Sequence, residues 1–363
     1  MREGRAGPTA VRVVAPARLH LGFLDPTGGP GRRFLGLGLS LEAPVTAVRV
    51  EVADRDRIEG PEAARVGAVL ARLRADRALP PVRIRVEAAL PAHAGLGSGT
   101  QLALAVGTAL LRLAGRPGPP RRLAARLGRG RRSGLGVAAF ARGGFLLDGG
   151  KGADGAPPPL LARLPFPAGW RVVLLRDPAR EGLSGAEEER AFRTLPPFPE
   201  PLAARLAHLA LACVLPGVAD ADLRLFGRGL AEIQDRLGDW YAPFQAAGRW
   251  SSPVVARALA ELRARGIAAS GQSSWGPTGF AVVPAPEAEA VAADLARAFP
   301  ELRVEVVRGR NRGARIETIR APAGTCRGGA GGDIRRASTG ARDGAGTAVG
   351  TAAETQRAAP GAR

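Results

Sequence analysis

The sequence contains a single lysine, Lys151, although lysine and arginine together account for 52 of its 363 residues. The formal net charge of +19 would suggest an acidic partner. Arginine used in place of lysine, together with 50 glycines, is typical of a GC-rich genome, so the charge alone does not indicate nucleic-acid binding. Aromatic residues make up only 4%, too few for the stacking platforms that bind single strands. We therefore predict no nucleic-acid partner and favour phosphorylated small molecules, which arginine binds well.

Cysteine and histidine are also scarce, and they are scattered. Cys213 and Cys326 form no CxxC pair, and the three histidines lie far apart in the chain. This distribution excludes a disulfide framework and a zinc site of known spacing. No apolar run approaches the roughly 18–20 residues of a membrane helix, and the first residues lack the apolar core of a signal peptide. The sequence predicts a soluble cytoplasmic protein without a membrane partner.

Hydrophobic periodicity predicts three regions: residues 1–165, residues 166–321, and a disordered tail over residues 322–363. The tail is rich in Gly, Ala, Thr and Arg and has almost no large apolar residues to bury. The first two regions combine strands and helices, which predicts an α+β fold with helices on one side of a mixed sheet. The predicted strands are 46–52, 82–86, 172–175, 279–283 and 303–307, and the predicted helices are 101–114, 202–214, 222–237, 253–265 and 287–298.

A glycine-rich loop at residues 91–100 (PAHAGLGSGT) lies between a predicted strand and a buried helix. Glycines let the backbone turn tightly, and the amides at a helix N-terminus attract anions. This arrangement predicts a phosphate or diphosphate site, although a plain turn with Ser98 as the helix cap would give the same pattern. A P-loop is excluded because the only lysine is followed by Gly152, and neither a protein-kinase nor a Rossmann signature is present.

The spacing Pro-x3-Gly-Leu-Gly-Ser resembles the phosphate loop of the GHMP superfamily, which includes galactokinase, homoserine kinase and mevalonate kinase. Other blocks resemble one branch of it, the β-ribofuranosylaminobenzene 5′-phosphate synthases. The blocks keep the order of that family and extend over residues 11–320. They are residues 17–25 (ARLHLGFLD), 132–140 (RSGLGVAAF), 143–150 (GGFLLDGG), 182–185 (GLSG), 187–192 (EEERAF), 233–234 (IQ), 242–245 (APFQ), 248–253 (GRWSSP) and 271–278 (GQSSWGPT).

The absence of an acid–base aspartate also agrees with this branch. GHMP kinases commonly carry an aspartate shortly after a mid-chain Ser-Gly, where it orients or deprotonates the phosphate acceptor. After Ser133 and Gly134 this sequence has no carboxylate before Asp148. A phosphoryl-transfer enzyme would therefore lack its usual acid–base group.

The resemblance implies a two-domain GHMP-kinase-like fold, with an N-terminal ribosomal-S5-like α/β domain and a C-terminal ferredoxin-like α+β domain. It implies condensation of 4-aminobenzoate or 4-hydroxybenzoate with phosphoribosyl pyrophosphate, with loss of pyrophosphate and CO2. It further implies Mg2+ as the cofactor, a homodimer, and a place at the start of methanopterin-type cofactor biosynthesis.

The resemblance also assigns residues to these substrates. The diphosphate would bind at the glycine loop. A second polar turn, at residues 272–274, would bind the 5′-phosphate or a further part of the diphosphate. The polar side chains of this turn could equally be hydrogen-bonded within the protein. The loop residues are Gly95, Gly97, Ser98, Gly99 and Thr100, and the turn residues are Gln272, Ser273 and Ser274.

Four further residues are predicted to be catalytic: Arg18, His20, Asp25 and Arg249. Arg18 and Arg249 suit phosphate or carboxylate, although Arg249 could be simply solvated. His20 is either catalytic or structural. Asp25 suits Mg2+ or a ribose hydroxyl, although Asp before Pro-Thr-Gly-Gly is also ordinary turn chemistry.

Asp25, Glu187 and Glu188 are the predicted Mg2+ ligands, while an acidic first helical turn would also explain the two glutamates. Three other functions stay open at this point: an ATP-dependent GHMP small-molecule kinase, a basic nucleic-acid-binding protein, and an inactive homologue.

Overall fold

The computed structural model describes residues 8–28, 31–75 and 78–320. The predicted disordered tail from residue 322 lies outside the described residues. These described residues belong to one compact unit. A large apolar core runs through it and includes Phe145 of the first half and Phe226 of the second, both fully buried.

A seven-stranded sheet occupies the first half of the chain. Two long strands, β1 and β2, form its centre, and the order is β11-β1-β2-β4-β3, with β5 pairing with both β2 and β6. All pairs are antiparallel except β3 with β4. The strands are β1 (Ala10–Asp25), β2 (Leu35–Val52), β3 (Arg57–Glu59), β4 (Val82–Ala88), β5 (Phe145–Asp148), β6 (Leu160–Leu164) and β11 (Arg315–Ile319).

Four helices accompany this sheet, and α2 is the central one. Its sequence is almost wholly apolar from Leu102 to Leu113, and those side chains are buried against β1 and β2. Burial on all sides explains why the segment lacks a polar face. The helices are α1 (Ala63–Arg74), α2 (Ser98–Leu113), α3 (Pro120–Arg126) and α4 (Leu135–Ala141).

A four-stranded antiparallel sheet occupies the second half, in the order β10-β7-β9-β8. Its strands are β7 (Trp170–Arg176), β8 (Ser270–Gln272), β9 (Thr278–Pro284) and β10 (Arg303–Val307). The helices of this half are α5 (Gly185–Thr194), α6 (Glu200–Leu209), α7 (Leu215–Ala219), α8 (Leu223–Tyr241), α9 (Pro253–Ala264) and α10 (Ala288–Ala298). A π-helical turn, Ala210–Val214, joins α6 to α7, and two short 3-10 turns lie at Ala242–Phe244 and Ala285–Glu287.

The helical stretch Glu200–Ala219 is, by length and composition, apolar enough to cross a membrane, with a mean hydropathy of 1.7. The stretch also carries Arg205 and His208, and Leu206, Leu209 and Val214 are buried in the protein core. A buried core helix passes the same composition test, so this stretch is weak support for a membrane span.

The predicted α+β fold is confirmed, and each predicted strand and helix overlaps an observed one. The chain passes from the first sheet to the second between β6 and β7, close to the predicted boundary at residue 165. However, β11 returns from the second half to pair with β1. The division into domains at residues 165 and 166 therefore stays a prediction.

Candidate active site

A cavity of about 840 Å³ opens beside the N-terminus of α2. Its wall contains the glycine loop, the segment 128–133 that precedes α4, the first turns of α5, and the turn at residues 274–276. All five predicted residues of the glycine loop line it: Gly95, Gly97, Ser98, Gly99 and Thr100.

The N-terminus of α2 faces this cavity without a side-chain cap. Gly97 is the N-cap residue, with φ of 82°, and Ser98 is the first helical residue. Among the described residues, no side-chain cap hydrogen bond is made at this end of the helix. The alternative explanation of Ser98 as the helix cap is therefore wrong, and the end of α2 retains the free amides and partial positive charge that attract an anion.

Hydrogen bonds join the glycine loop to β1 and to the second polar turn. Both the Arg18 guanidinium (Nη1) and the Ser273 hydroxyl donate to the carbonyl oxygen of Gly95, at 2.6 and 2.7 Å. The Ser273 hydroxyl in turn accepts from the backbone N–H of His20 at 2.9 Å. A Cβ on Gly95 would lie 2.3 Å from the Ser273 carbonyl oxygen, and its φ is 76°. Glycine is required there because the two turns approach so closely.

The side chains of the second polar turn hydrogen-bond mainly to other groups of the protein. The Gln272 side chain accepts from Ser251, at 2.8 Å from its N–H and 2.9 Å from its hydroxyl, and donates to Gln245 and to the Ser274 carbonyl oxygen. Gln272 and Ser273 are buried, and neither lines the large cavity. Of the three predicted residues in this turn, only Ser274 reaches it.

Two arginines flank the first turn of α2. A Cβ on Gly97 would lie 3.3 Å from Cγ of Arg18, and one on Gly99 would lie 3.2 Å from Nη1 of Arg129. Burial lowers the pKa of Arg18 to about 10, so its guanidinium remains charged at neutral pH. Burial, together with Arg65 and Arg131, also lowers the pKa of Arg129. The Nε atoms of Arg18 and Arg129 are buried without a partner in the part of the chain that the structure describes.

Sequence analysis missed most of the basic side chains in this cavity. The arginine-rich run 129–132 (RGRR), which leads into the block 132–140, could have indicated them. Of the residues that the structure describes, only two acidic side chains, Glu188 and Glu189, accompany them in the wall. The basic residues are Arg18, Arg33, Arg65, Arg129, Arg131, Arg132, Lys151 and Arg193.

Lys151, the only lysine, lies in this wall beside Arg33. The two residues exchange backbone hydrogen bonds, of 2.6 Å from Lys151 N and 3.3 Å from Arg33 N. The guanidinium of Arg32 supports this pair by donating to the carbonyl oxygens of Gly149 and Gly150, both at 2.8 Å at the closest. The backbone thus places a lysine and an arginine beside each other in the cavity wall, a pair of charges suited to phosphate.

His20 lies beneath the glycine loop and is 3% exposed. Neither of its ring nitrogens has a hydrogen-bond partner among the described residues, and Phe23 approaches the ring edge-on at 4.3 Å. Burial, and then the charge of Arg18, hold the pKa of His20 well below its usual value. The imidazole is therefore neutral, with one donor nitrogen and one acceptor nitrogen, both of them buried.

Aromatic rings form another part of the wall: Phe23, Phe34, Phe192 and Trp275. The Phe192 ring contacts those of Phe34 and Trp275, with centroids 5.2 and 5.5 Å apart. The guanidinium of Arg132 lies 5.6 Å from the centroid of Phe192. A planar, apolar ligand can therefore lie against this wall while its anionic groups reach the cations.

Comparison with known proteins places this chain in a family. A family model for the GHMP kinase N-terminal domain matches residues 64–144, and one for the C-terminal domain matches residues 214–301. The β-ribofuranosylphenol 5′-phosphate synthase of Methanothermobacter thermautotrophicus is 31% identical over 83% of this chain and 97% of its own length. The synthase of Archaeoglobus fulgidus is 34% identical over 85% of this chain and 99% of its own length. The chain belongs to the β-ribofuranosylphenol 5′-phosphate synthase family.

The fold agrees with this family. A homoserine kinase from Cytophaga hutchinsonii, 19% identical, superimposes with a TM-score of 0.63 and covers 87% of this chain and 100% of its own. The predicted GHMP-kinase-like fold is confirmed, as is the resemblance to the synthase branch of the superfamily.

Besides Gln272 and Ser273, three further predicted residues lie outside the large cavity: Asp25, Glu187 and Arg249. Asp25 accepts from the backbone N–H groups of Thr27 and Gly28, at 3.1 and 2.6 Å, which is the predicted turn chemistry. Glu187 is exposed on α5.

Arg249 is paired with Asp239 at 2.5 Å and with Asp235 at 3.5 Å. It lines a separate cavity of about 20 Å³, which has room for a single water molecule. His20 and Ser274 also line this small cavity. Arg249 therefore lies behind the wall of the large cavity.

The predicted Mg2+ ligands do not form a metal site. Among residues 8–28, 31–75 and 78–320, no three His, Cys, Asp or Glu side chains are grouped to hold a metal ion. Glu188 alone of the predicted ligands lines the large cavity, and its carboxylate is paired with Arg132 at 2.5 Å. A guanidinium at this distance competes with a cation for the same oxygen, so these residues do not fit a resident Mg2+ ion.

Asp148 stabilises the start of α4. One of its oxygens, Oδ2, accepts from Gly134 N at 2.7 Å, Leu135 N at 3.1 Å and the Ser133 hydroxyl at 2.9 Å; the other accepts from Gly150 N at 3.0 Å. Its side chain is fully buried and does not line the large cavity. The first carboxylate after Ser133 and Gly134 thus caps a helix and does not face a substrate.

Proposed function

We propose that this enzyme joins the aromatic ring of 4-hydroxybenzoate or 4-aminobenzoate to C1 of phosphoribosyl pyrophosphate. Pyrophosphate and CO2 leave, and the product is a β-ribofuranosyl arene 5′-phosphate. The observation that carries this proposal is that one cavity combines eight basic side chains and an uncapped helix N-terminus with an aromatic wall. The name of the two archaeal relatives, which refers to a ribofuranosylphenol, supports the same reaction and favours the phenol product.

The diphosphate fits best at the first turn of α2. Free amides, the positive end of the helix and the guanidinium groups of Arg18 and Arg129 converge there. These groups are fixed before the substrate arrives, and they stabilise the negative charge that develops on pyrophosphate as the C1–O bond breaks. Arg18 would thus act directly on the leaving group.

The 5′-phosphate fits best beside Arg33 and Lys151, the second cationic pair in the wall. The second polar turn, assigned to this phosphate from the sequence, has the side chains of Gln272 and Ser273 committed to internal hydrogen bonds. Its role in the proposal is to hold the glycine loop and β1 in place for the substrate.

The arene fits against the wall formed by Phe23, Phe34, Phe192 and Trp275. The ring carbon that bears the carboxylate lies para to the hydroxyl or amine, which makes it electron-rich. It attacks the oxocarbenium-like C1, and loss of CO2 then restores aromaticity. Apolar rings around the reacting carbon exclude water that would otherwise capture the sugar.

Mg2+ enters this proposal as part of the substrate, bound to the oxygens of phosphoribosyl pyrophosphate. Mg2+ commonly binds proteins through substrate phosphates, with few carboxylate ligands and several waters. The described residues offer no three-ligand cluster, which agrees with an ion that arrives on the diphosphate.

We further propose a cytoplasmic homodimer that acts in methanopterin-type cofactor biosynthesis, as the family resemblance implies. A GHMP small-molecule kinase is less well supported by the site, because the kinase aspartate is missing after Ser133 and Gly134. The nearest carboxylate, Asp148, is bonded to three backbone N–H groups and one hydroxyl.

The test is release of labelled CO2 from carboxyl-labelled 4-hydroxybenzoate and 4-aminobenzoate, with phosphoribosyl pyrophosphate and Mg2+. We expect release that requires both phosphoribosyl pyrophosphate and Mg2+, and none when ATP replaces the former. Formation of ADP from ATP and small alcohols, without CO2 release from either benzoate, would contradict the proposal and indicate a kinase.

A further inference from the structure

Glu188 differs from the two glutamates beside it in the first turns of α5. Its side chain is 18% exposed, whereas Glu187 and Glu189 are both exposed at the surface. The acidic first turn of a helix explains surface glutamates that stabilise the helix N-terminus. It does not explain why Glu188 alone is largely buried in the wall of a cavity that is otherwise strongly cationic.

Charged and aromatic groups from four segments surround the Glu188 carboxylate. Arg132 donates through Nη2 to Oε2 at 2.5 Å, and the indole of Trp275 lies close enough to the same carboxylate to favour its ionised form. Arg18 on β1 and the Tyr241 hydroxyl on α8 are close enough to interact electrostatically with it. The carboxylate therefore lies where the aromatic wall meets the cations, next to the ring of Phe192, which Arg132 covers.

The proposed reaction has a proton to move when the arene is a phenol. A neutral hydroxyl donates electrons to the ring less well than a phenolate does. As the ring attacks C1, the hydroxyl oxygen becomes a carbonyl and its proton must leave. An amine has no such requirement, because nitrogen can hold the positive charge as an iminium. A carboxylate beside the hydroxyl would therefore matter for one substrate and not for the other.

We propose that Glu188 accepts the proton of the 4-hydroxyl group while the ring attacks C1, an inference that rests on the proposed function. The ring carbon bearing the carboxylate bonds to C1, and the electrons of the C1–O bond leave with pyrophosphate. The hydroxyl proton passes to Glu188, which leaves a cyclohexadienone. Loss of CO2 returns an electron pair to the ring, and the carbonyl oxygen takes the proton back from Glu188.

The environment of Glu188 suits this role. A carboxylate accepts about four hydrogen bonds, so the contacts with Arg132 and Trp275 orient the group and leave capacity for the substrate. Burial raises the pKa of Glu188 above its usual value, against the opposing effect of Arg132 and Arg18. A raised pKa makes the carboxylate a better proton acceptor, provided that the group remains ionised at the working pH.

A different role for Glu188 would be to hold Arg132 in place for a phosphate. The two roles predict different substrate dependence. Loss of Arg132 positioning would slow both arenes alike, because both use the same phosphoribosyl pyrophosphate. Loss of a proton acceptor would slow 4-hydroxybenzoate selectively.

The experiment measures kcat/KM of Glu188→Gln for both arenes. The glutamine keeps an oxygen that can accept from Arg132. We expect a loss of about 10²–10⁴-fold with 4-hydroxybenzoate, the usual range for general-base catalysis, and a loss at least tenfold smaller with 4-aminobenzoate. Glu200→Gln, which changes an exposed glutamate in the first turn of α6, is the matched control and should leave both rates unchanged.

Equal losses with both arenes, or no loss with either, would overturn the proposal, as would a wild-type enzyme that uses only 4-aminobenzoate. Failure of the function itself is distinguishable, since the wild-type enzyme would then release CO2 from neither arene.

A second measurement needs no variant. The ratio of kcat/KM for 4-hydroxybenzoate to that for 4-aminobenzoate should fall in the wild-type enzyme as pH drops through the pKa of Glu188, and a constant ratio would contradict the proposal.

Discussion

The Ser273 hydroxyl donates a 2.7 Å hydrogen bond to the carbonyl oxygen of Gly95, a residue 178 positions earlier in the chain. The same hydroxyl accepts from the backbone N–H of His20 at 2.9 Å. One buried oxygen thus connects the glycine loop, β1 and the turn that follows β8. The shape of the diphosphate site therefore depends on a residue that does not line the cavity.

Replacing Ser273 with alanine should weaken both the fold and the site. The His20 amide loses its acceptor in a buried place, which costs about 1–3 kcal/mol. We expect a lower free energy of unfolding in urea and a higher KM for phosphoribosyl pyrophosphate. Ser274→Ala is the matched control for stability, and unchanged unfolding of Ser273→Ala relative to it would contradict this account.

Gly95→Ala should disrupt the glycine loop. Its φ of 76° is strained for alanine, and the new Cβ would lie 2.3 Å from the Ser273 carbonyl oxygen. Backbone atoms on both sides leave little room to relax, so we expect a loss of stability of about 2 kcal/mol or more, with weaker binding of phosphoribosyl pyrophosphate. Gly118→Ala, where no atom lies within 4 Å of the new Cβ, should remain stable. Equal melting temperatures of the two variants would refute the prediction.

Local sequence patterns predicted the secondary structure because each element carries its own signal. The apolar run of α2 and the alternating residues of β4 are examples. The glycine loop was predicted as an anion site for the same reason, since its glycines and the following helix are adjacent in sequence. Patterns formed by residues that are neighbours in the chain can be recognised from the sequence alone.

Contacts between distant segments could not be predicted in this way. Lys151 is placed beside Arg33 by a backbone bridge between segments far apart in sequence, and composition alone offered no reason to single out its position. Gln272 looked like a ligand-binding amide because its partners, Ser251 and Gln245, lie on another segment of the chain. Whether a polar side chain is free or satisfied depends on such tertiary contacts.

Arg129→Met should weaken binding of phosphoribosyl pyrophosphate. Its guanidinium lies over Gly99 at the start of α2, and losing hydrogen bonds to a charged group costs about 1.5–3 kcal/mol. KM should rise about 10- to 100-fold. Arg257→Met removes an exposed arginine on α9 and is the control for net charge. A similar KM in both variants would show that Arg129 does not contact the diphosphate.

Chelation should abolish activity without unfolding the protein. If Mg2+ arrives with the diphosphate, the half-saturating Mg2+ concentration should follow the concentration of phosphoribosyl pyrophosphate. Titration of the free protein with Mg2+ in a calorimeter should give no saturable heat, in keeping with the absence of a three-ligand cluster among the described residues. A saturable site on the free protein would show that the ion is held by the chain.

Asp148 should make the stability of the protein depend on pH. Burial raises the pKa of its carboxyl group from 3.8 to about 6, although four hydrogen-bond donors favour the ionised form. Between these two values the folded state binds more protons than the unfolded state, so this group's contribution to stability falls as pH rises. The wild-type protein should lose about 2 kcal/mol relative to Asp148→Asn between pH 4 and pH 7. Urea unfolding of both proteins at several pH values measures the difference, with Asp154→Asn as the exposed control. The difference in unfolding free energy between wild type and Asp148→Asn could instead stay constant with pH, or favour the wild type as pH rises. Either result would mean that the hydrogen bonds outweigh burial and that the carboxyl group is ionised throughout this range.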